Sequence, residues 1–148
     1  LAVEAAIARG ATHLRIAGAL RPDPLGAPRF DHLFGNLAAL ADASQRTRDA
    51  RLVAPDLEVV IVNRRSPCHL QGRVGDHVSI VALGDDVDGV ATEGLQWTLK
   101  DERLAWGSTR GVSNELASER ATISVQTGSL LVAMQRRIAT VLRTATNA

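Results

Sequence analysis

Several residue types are nearly missing from this chain. Tyrosine is absent, and Phe30, Phe34, Trp97 and Trp106 are the only aromatics. The stacking platforms that hold single-stranded nucleic acid therefore have little to be built from. Cysteine occurs once, as Cys68, which excludes an internal disulfide framework and a cysteine-only metal cluster and points to a cytoplasmic setting. Lysine also occurs once, as Lys100, so almost all positive charge is arginine. No apolar run approaches the ~20 residues of a membrane-crossing helix. Neither sign of charge prevails: 17 Lys plus Arg stand against 16 Asp plus Glu. Broad attraction to nucleic acid or to an anionic membrane is thereby excluded. The four histidines show no metal-ligand spacing, and no Gly-x-Ser-x-Gly elbow appears.

What is present is an ordinary globular mix, 45% hydrophobic and 22% charged over 148 residues, enough for one core or two small ones. Residues 2–9 are strong helix formers and end at Gly10, a C-cap glycine. Leu14 and Ile16 alternate in a short strand. The three prolines of Arg21–Pro28 make a loop. Leu33, Leu37 and Leu40 form the stripe of an amphipathic helix over residues 30–43, with Asp31 in its first turn, where a carboxylate suits the helix dipole. Leu57–Val62 is a continuous β-branched run that fits a buried strand of a parallel sheet.

After Asn63-Arg64-Arg65-Ser66-Pro67 the grammar changes. Strand-length segments follow at His69–Val74, His77–Leu83, Leu95–Leu99, Ala121–Gln126 and Ser129–Met134, separated by turn residues. The acidic stretch Asp85–Gly89 reads as a hairpin turn, because Gly84 and Leu95 stand where a calcium loop needs ligands. Arg136–Thr144 is a candidate terminal helix. Cys68 and Trp106 read as packing residues, and the pairs Arg64-Arg65 and Arg136-Arg137 as solvated surface. The expected fold class is α/β plus all-β. Residues 1–64 would be part of an open α/β domain, and residues 65–148 a small antiparallel β-sandwich or barrel with a C-terminal tail.

Three ordered stretches carry a resemblance. Gly18-Ala19 followed by Arg29-Phe30-Asp31-His32 and Asn36-Leu37 is similar to a Gly-Gly-Arg-Phe-Asp-His…Asn-Leu segment. Gly75-Asp76-His77-Val78-Ser79-Ile80-Val81-Ala82-Leu83 resembles a strand that opens a β domain. Thr92-Glu93-Gly94-Leu95-Gln96-Trp97-Thr98-Leu99, with Gly111-Val112-Ser113-Asn114, is similar to Thr-x-Gly-Leu-x-Trp-x-Leu and Ser-Asn motifs. Together, over roughly residues 1–134, they resemble the thiamine pyrophosphokinase family. Gln96 stands where that family usually has lysine, and the Arg21–Pro28 loop replaces a compact glycine turn.

The resemblance implies a partial Rossmann-like kinase domain followed by a β-sandwich thiamine-binding domain. It implies a homodimeric enzyme that transfers diphosphate from ATP to thiamine with Mg²⁺, the thiamine site lying between subunits. Asp31 and Arg29 would be the catalytic residues, Asp31 also the magnesium ligand, supported by Gly18, His32 and Asn36. Trp97, Ser113, Asn114 and Thr92 would bind thiamine. The chemistry suits these residue types. Arginine forks match phosphate oxygens, an indole face suits a flat cationic ring, and phosphoryl-type transfer needs positioning and charge rather than covalent help. The family's further acidic segment, of Gly-Asp-x-Asp-Ser type, has no counterpart here and is expected upstream of Leu1. The alternative is a non-catalytic thiamine-binding or structural relative that keeps the fold without those carboxylates.

Overall fold

Burial on both faces, rather than parallel pairing, explains the apolar run at the centre of the chain. The computed structural model describes residues 2–20 and 29–137. Leu57–Asn63 forms a strand (β3) whose last five residues are all buried. Val59 and Ile61 point into one apolar cluster and Val60 and Val62 into another. Its two neighbours in the sheet both run antiparallel to it. The expectation of a parallel-sheet strand is therefore corrected. A strand between two cores has no polar face, whichever way its neighbours run.

The first cluster belongs to the N-terminal elements. These are a short helix (α1, Ala2–Ala8), a strand (β1, His13–Ala17), a long helix (α2, Phe30–Arg46) and a second strand (β2, Asp49–Val53). β1 and β2 are parallel, so β1, α2 and β2 form one crossover unit. β2 is hard to see in the sequence, because only Ala50 and Leu52 face inward while Asp49 and Arg51 alternate with them. Arg51 is itself fastened beneath the surface, between Asp49 and Glu58. The leucine stripe of α2 is only partly buried. Leu40 is enclosed with Ala43, whereas Phe30, Leu33 and Phe34 are exposed, the two phenylalanine rings stacked at 6.2 Å. The helix thus docks by its C-terminal half and projects its N-terminal half.

The second cluster fills the space between two sheets. Six strands are ordered β1-β2-β3-β10-β5-β8, with β5 at His77–Ala82, β8 at Asn114–Glu115 and β10 at Ser129–Gln135. Four more are ordered β4-β9-β6-β7, with β4 at Cys68–Gln71, β6 at Val87–Glu93, β7 at Glu102–Leu104 and β9 at Arg120–Ser124. Val78, Ile80, Leu130 and Val132 of the first sheet meet Leu70, Val87, Val90 and Ile123 of the second. β3 pairs with β10, so one sheet joins residues on either side of residue 64, and β3 contributes to both apolar clusters. Cys68 is buried in the second cluster, and burial pushes its thiol up to about 12, so it stays a protonated packing residue.

Two segments differ from the sequence reading. Asp85–Gly89 is not a hairpin turn, because the chain leaves β5 in one sheet and enters β6 in the other. An irregularity between Val87 and Val90 buries both at a spacing of three, which hides the strand's alternation. Leu95–Leu99 is not a strand either. Leu95 makes a single bridge to Leu116, and the segment folds back so that Leu99 bonds Thr92. The Arg21–Pro28 loop lies outside the described residues, as does all but the first two residues of the Arg136–Thr144 helix. Arg136 and Arg137 are not free surface charges: they pair with Glu58 at 3.3 Å and Glu115 at 2.9 Å. Among the described residues no helix is long and apolar enough to cross a membrane.

Asp76 ties the start of β5 to the end of β10. It is buried, and its carboxylate accepts the backbone N–H of Arg73 at 2.8 Å and of Arg137 at 2.9 Å. Burial alone would push this carboxyl up. The two N–H donors and the charges of Arg136 and Arg73 overcome it and hold Asp76 below the usual carboxylate range. A depressed folded pKa contributes stability that is complete above about pH 4 and is lost as pH falls below that. Asp76→Ala is expected to cost about 1–3 kcal/mol in denaturant unfolding at neutral pH, since it strands two N–H groups. Its deficit against the wild type should shrink in acid.

Candidate functional site

The residues singled out in the sequence fall into two groups. The first gathers where β1 ends and α2 begins. Gly18 follows β1 directly, and Asn36, one turn and a half into α2, donates from Nδ2 to the Ala19 carbonyl at 2.9 Å. That bond holds the projecting half of α2 against the C-terminal end of β1, the end at which open α/β sheets receive ligands. Arg29 precedes the helix and makes no side-chain cap. Its guanidinium instead donates to both oxygens of Asp31, Nε at 3.1 Å and Nη2 at 2.8 Å. His32 Nε2 lies 3.9 Å from the same carboxylate.

This is the bidentate geometry that arginine offers to phosphate, and both partners are largely exposed. The hydrogen bonds from Arg29 hold Asp31 well below the usual carboxylate range, and Asp31 raises Arg29 in turn. A carboxylate of such low basicity suits holding a cation better than abstracting a proton. Among the described residues no cluster of three or more His, Cys, Asp or Glu stands ready for a metal. Asp31 supplies one carboxylate there, so a Mg²⁺ ion would take most of its oxygen ligands from elsewhere.

The second group lies at the far edge of the six-stranded sheet. Trp97 is 60% exposed on the crest of the 94–99 segment. That segment is fastened along its length: Gly94 O accepts from Ala117, Gln96 N–H donates to Glu115 O, and Leu99 N–H donates to Thr92 Oγ1 at 2.9 Å. Thr92 and Asn114 are both buried, and Ser113 is exposed. The hydroxyl of Thr92 is committed to Leu99, and the amide of Asn114 to Trp97 and Glu115. Ser113 sits at φ 62°, a left-handed conformation uncommon for a residue other than glycine, and its N–H donates to Ser79 Oγ. The structure thus brings Thr92, Trp97, Ser113 and Asn114 together, and adds Ser79, which sequence reasoning missed.

Two glycines make that juxtaposition possible. At Gly94, φ is +74° and an added Cβ would lie 2.1 Å from the Arg120 carbonyl oxygen. At Gly111 it would lie 2.3 Å from the Ile80 carbonyl oxygen, so the 111–114 segment is pressed against β5. Trp106, expected as a packing residue, is 58% exposed. What is fastened is its backbone, whose N–H donates to Asp86 Oδ1 at 2.7 Å.

The two groups do not meet within one chain. One lies beside β1 and the other beside β8, the two outer strands of the sheet, five strand spacings or roughly 24 Å apart.

The comparisons with known proteins bear on both groups. Residues 64–132 match the family described as "Thiamin pyrophosphokinase, vitamin B1 binding domain", which takes in Thr92, Trp97, Ser113 and Asn114. Thiamine pyrophosphokinase 1 of Arabidopsis thaliana is 29% identical over 100 residues, 64% of this chain and 36% of the plant protein. The fold resembles the crystal structure of thiamine pyrophosphokinase from Bacillus subtilis, with TM-score 0.78 and 20% identity over 93% of this chain and 62% of that one. It also resembles thiamin pyrophosphokinase from Geobacillus thermodenitrificans, with TM-score 0.77 and 23% identity over 93% and 60%. The chain therefore spans about a third of the plant relative and about three-fifths of the bacterial ones. The segment that builds the Trp97 platform is thus similar to the vitamin B1 binding domain of thiamine pyrophosphokinases, and the fold of the chain is like theirs.

Proposed function

We propose that the protein carrying this chain is a thiamine diphosphokinase, transferring the terminal diphosphate of ATP to thiamine and releasing AMP. The observation that carries this reading is the exposed indole of Trp97 on a rigid platform, inside the segment that matches a vitamin B1 binding domain. Thiamine combines a flat aminopyrimidine with a permanently cationic thiazolium, and an indole face attracts both by stacking and by cation–π interaction. The exposed Ser113, next in sequence to Asn114, offers a hydroxyl that can donate and accept. Thr92 and Asn114 hold the backbone on which this side of the site is built.

The β1–α2–β2 unit belongs to a Rossmann-like nucleotide-binding domain in this reading, and the two facing sheets are a β-sandwich. The two parts divide near residue 64 in this reading, with β3 shared between their apolar clusters. Arg29 turns its fork from Asp31 to the phosphates, and Asp31 serves the cation that accompanies them, supported by Gly18, His32 and Asn36. Mg²⁺, when bound with the nucleotide, neutralises charge that develops on the phosphate oxygens. The thiamine hydroxyl oxygen forms a bond to the β-phosphorus, the bond from that phosphorus to the oxygen of the α-phosphate breaks, and the hydroxyl proton is released. Because the phosphate-side and thiamine-side groups occupy opposite sheet edges, the complete site is assembled from two copies, each lending one edge. That arrangement supports a homodimer.

The test is to incubate full-length protein with thiamine, ATP and Mg²⁺ and to quantify products. Thiamine diphosphate and AMP should appear in equal amounts. Asp31→Asn should lower kcat by about 10²–10³ with little change in thiamine affinity. Thiamine bound without any AMP formed would overturn the catalytic reading and leave a thiamine-binding protein.

A further inference from the structure

Asn114 is buried at 5% exposure, yet none of its partners is another side chain. Its Oδ1 accepts the N–H of Trp97 at 3.1 Å and of Glu115 at 2.8 Å, and its Nδ2 donates to the Trp97 carbonyl at 2.7 Å. Three of the four hydrogen bonds open to a carboxamide are thus used on backbone, and two of them bracket a single residue. The reason lies in the ladder. The 94–99 segment pairs with the chain around β8 through the Leu95–Leu116 bridge and the Gln96–Glu115 bond. One step further the partner strand is gone, because Ser113 turns into the left-handed region. The Asn114 amide, shaped like a peptide group, stands where the next peptide of that strand would have been.

We propose that Asn114 is a positioning residue for the ligand site: it clamps the backbone of Trp97 so that the exposed indole is presented in one orientation, and it does not itself touch the ligand. This rests on the reading of Trp97 as the surface that receives a flat cationic ring. An indole that is 60% exposed has few packing neighbours to restrain it, so its direction is set through its own backbone. Holding it in place before the ligand arrives removes part of the ordering cost of binding.

Trp106→Phe provides the background for the test, since it leaves Trp97 as the only tryptophan of the chain. In that background Asn114→Ala removes the whole clamp. Asn114→Asp keeps the acceptor for the two N–H groups and turns a carboxylate oxygen, in place of the donor, against the Trp97 carbonyl. The indole's fluorescence anisotropy and near-ultraviolet dichroism are recorded with the dissociation constant for thiamine, folding being checked by far-ultraviolet dichroism. The expected result is a loss of anisotropy and dichroism in both variants. Thiamine affinity should fall in step, by about tenfold for Asn114→Ala. If Asn114→Ala does not fold, Asn114→Asp decides alone. Weakened binding with an unchanged Trp97 signal would mean that Asn114 contacts the ligand, and would overturn the proposal. Unchanged signal and unchanged affinity would overturn it as well. A fall in anisotropy in a protein whose Trp106→Phe parent binds no thiamine would uphold the clamp and refute the thiamine reading instead.

Discussion

Trp97→Ala is expected to weaken thiamine binding by at least about tenfold, or ~1.4 kcal/mol, and to leave folding stability within about 0.5 kcal/mol of wild type. The two halves of this prediction have one cause. Trp97 is 60% exposed, so its ring contributes little to either apolar cluster, and removing it opens no cavity. The backbone bonds that hold the 94–99 segment involve Gln96, Trp97 and Leu99 main-chain atoms, and alanine keeps all of them. What alanine cannot supply is the aromatic face. Trp97→Phe should retain part of the affinity, because a smaller ring still stacks but attracts a cation less. Isothermal titration with thiamine, beside urea unfolding, reads both quantities. Unchanged thiamine affinity in a folded Trp97→Ala protein would remove the observation on which the functional reading stands. Trp106→Ala is the matching control, since that indole is similarly exposed and lies outside the 94–99 segment.

A large loss of stability is expected three residues earlier. Gly94→Ala places a Cβ 2.1 Å from the Arg120 carbonyl oxygen and 3.0 Å from Ser118 Oγ, at a backbone φ of +74°. The clash is with backbone, so no rotamer change relieves it. The 94–95 turn must instead move away from the chain entering β9. Overpacking of this kind costs about 1–3 kcal/mol, and forcing a residue with a Cβ into the left-handed region adds roughly 1 kcal/mol. A total near 3 kcal/mol is expected in denaturant unfolding. Thiamine affinity should fall as well, since Gly94 sets the direction in which the Trp97 segment leaves β6. A Gly94→Ala protein as stable as wild type would show that this turn tolerates a side chain, and that the platform is less rigid than the hydrogen bonds indicate.

Much of this was legible in the sequence, and the misses share a cause. The α2 helix, β5 and β10 are read correctly because each buries one side, or one end, in a regular period. β2 is missed because its outward positions carry Asp49 and Arg51, which pair with each other and with Arg15 and Glu58 from strands elsewhere in the sequence. β6 is missed because an irregularity shifts its period. The 95–99 segment is misread as a strand because buried Leu95 and Leu99 flank it, and nothing local reveals that Thr92 closes it into a loop. Trp97 and Trp106 carry similar exposure, so only the company each keeps separates them.

Residue identity and spacing alone determined the family resemblance, the two-part grammar and the candidate residues Arg29, Asp31, Trp97 and Ser113. These are properties of short segments, and short segments keep their chemistry wherever they are placed. Tertiary structure decided three further things. It made β3 antiparallel to its neighbours and buried on both sides, it turned the Asn114 amide inward onto the Trp97 backbone, and it put the Arg29–Asp31 pair and the Trp97 segment toward opposite edges of one sheet. Each depends on pairing between residues distant in sequence, such as β3 with β10 and β5 with β8. A strand's own pattern states which of its faces is apolar, and leaves its direction and its neighbours to the rest of the chain.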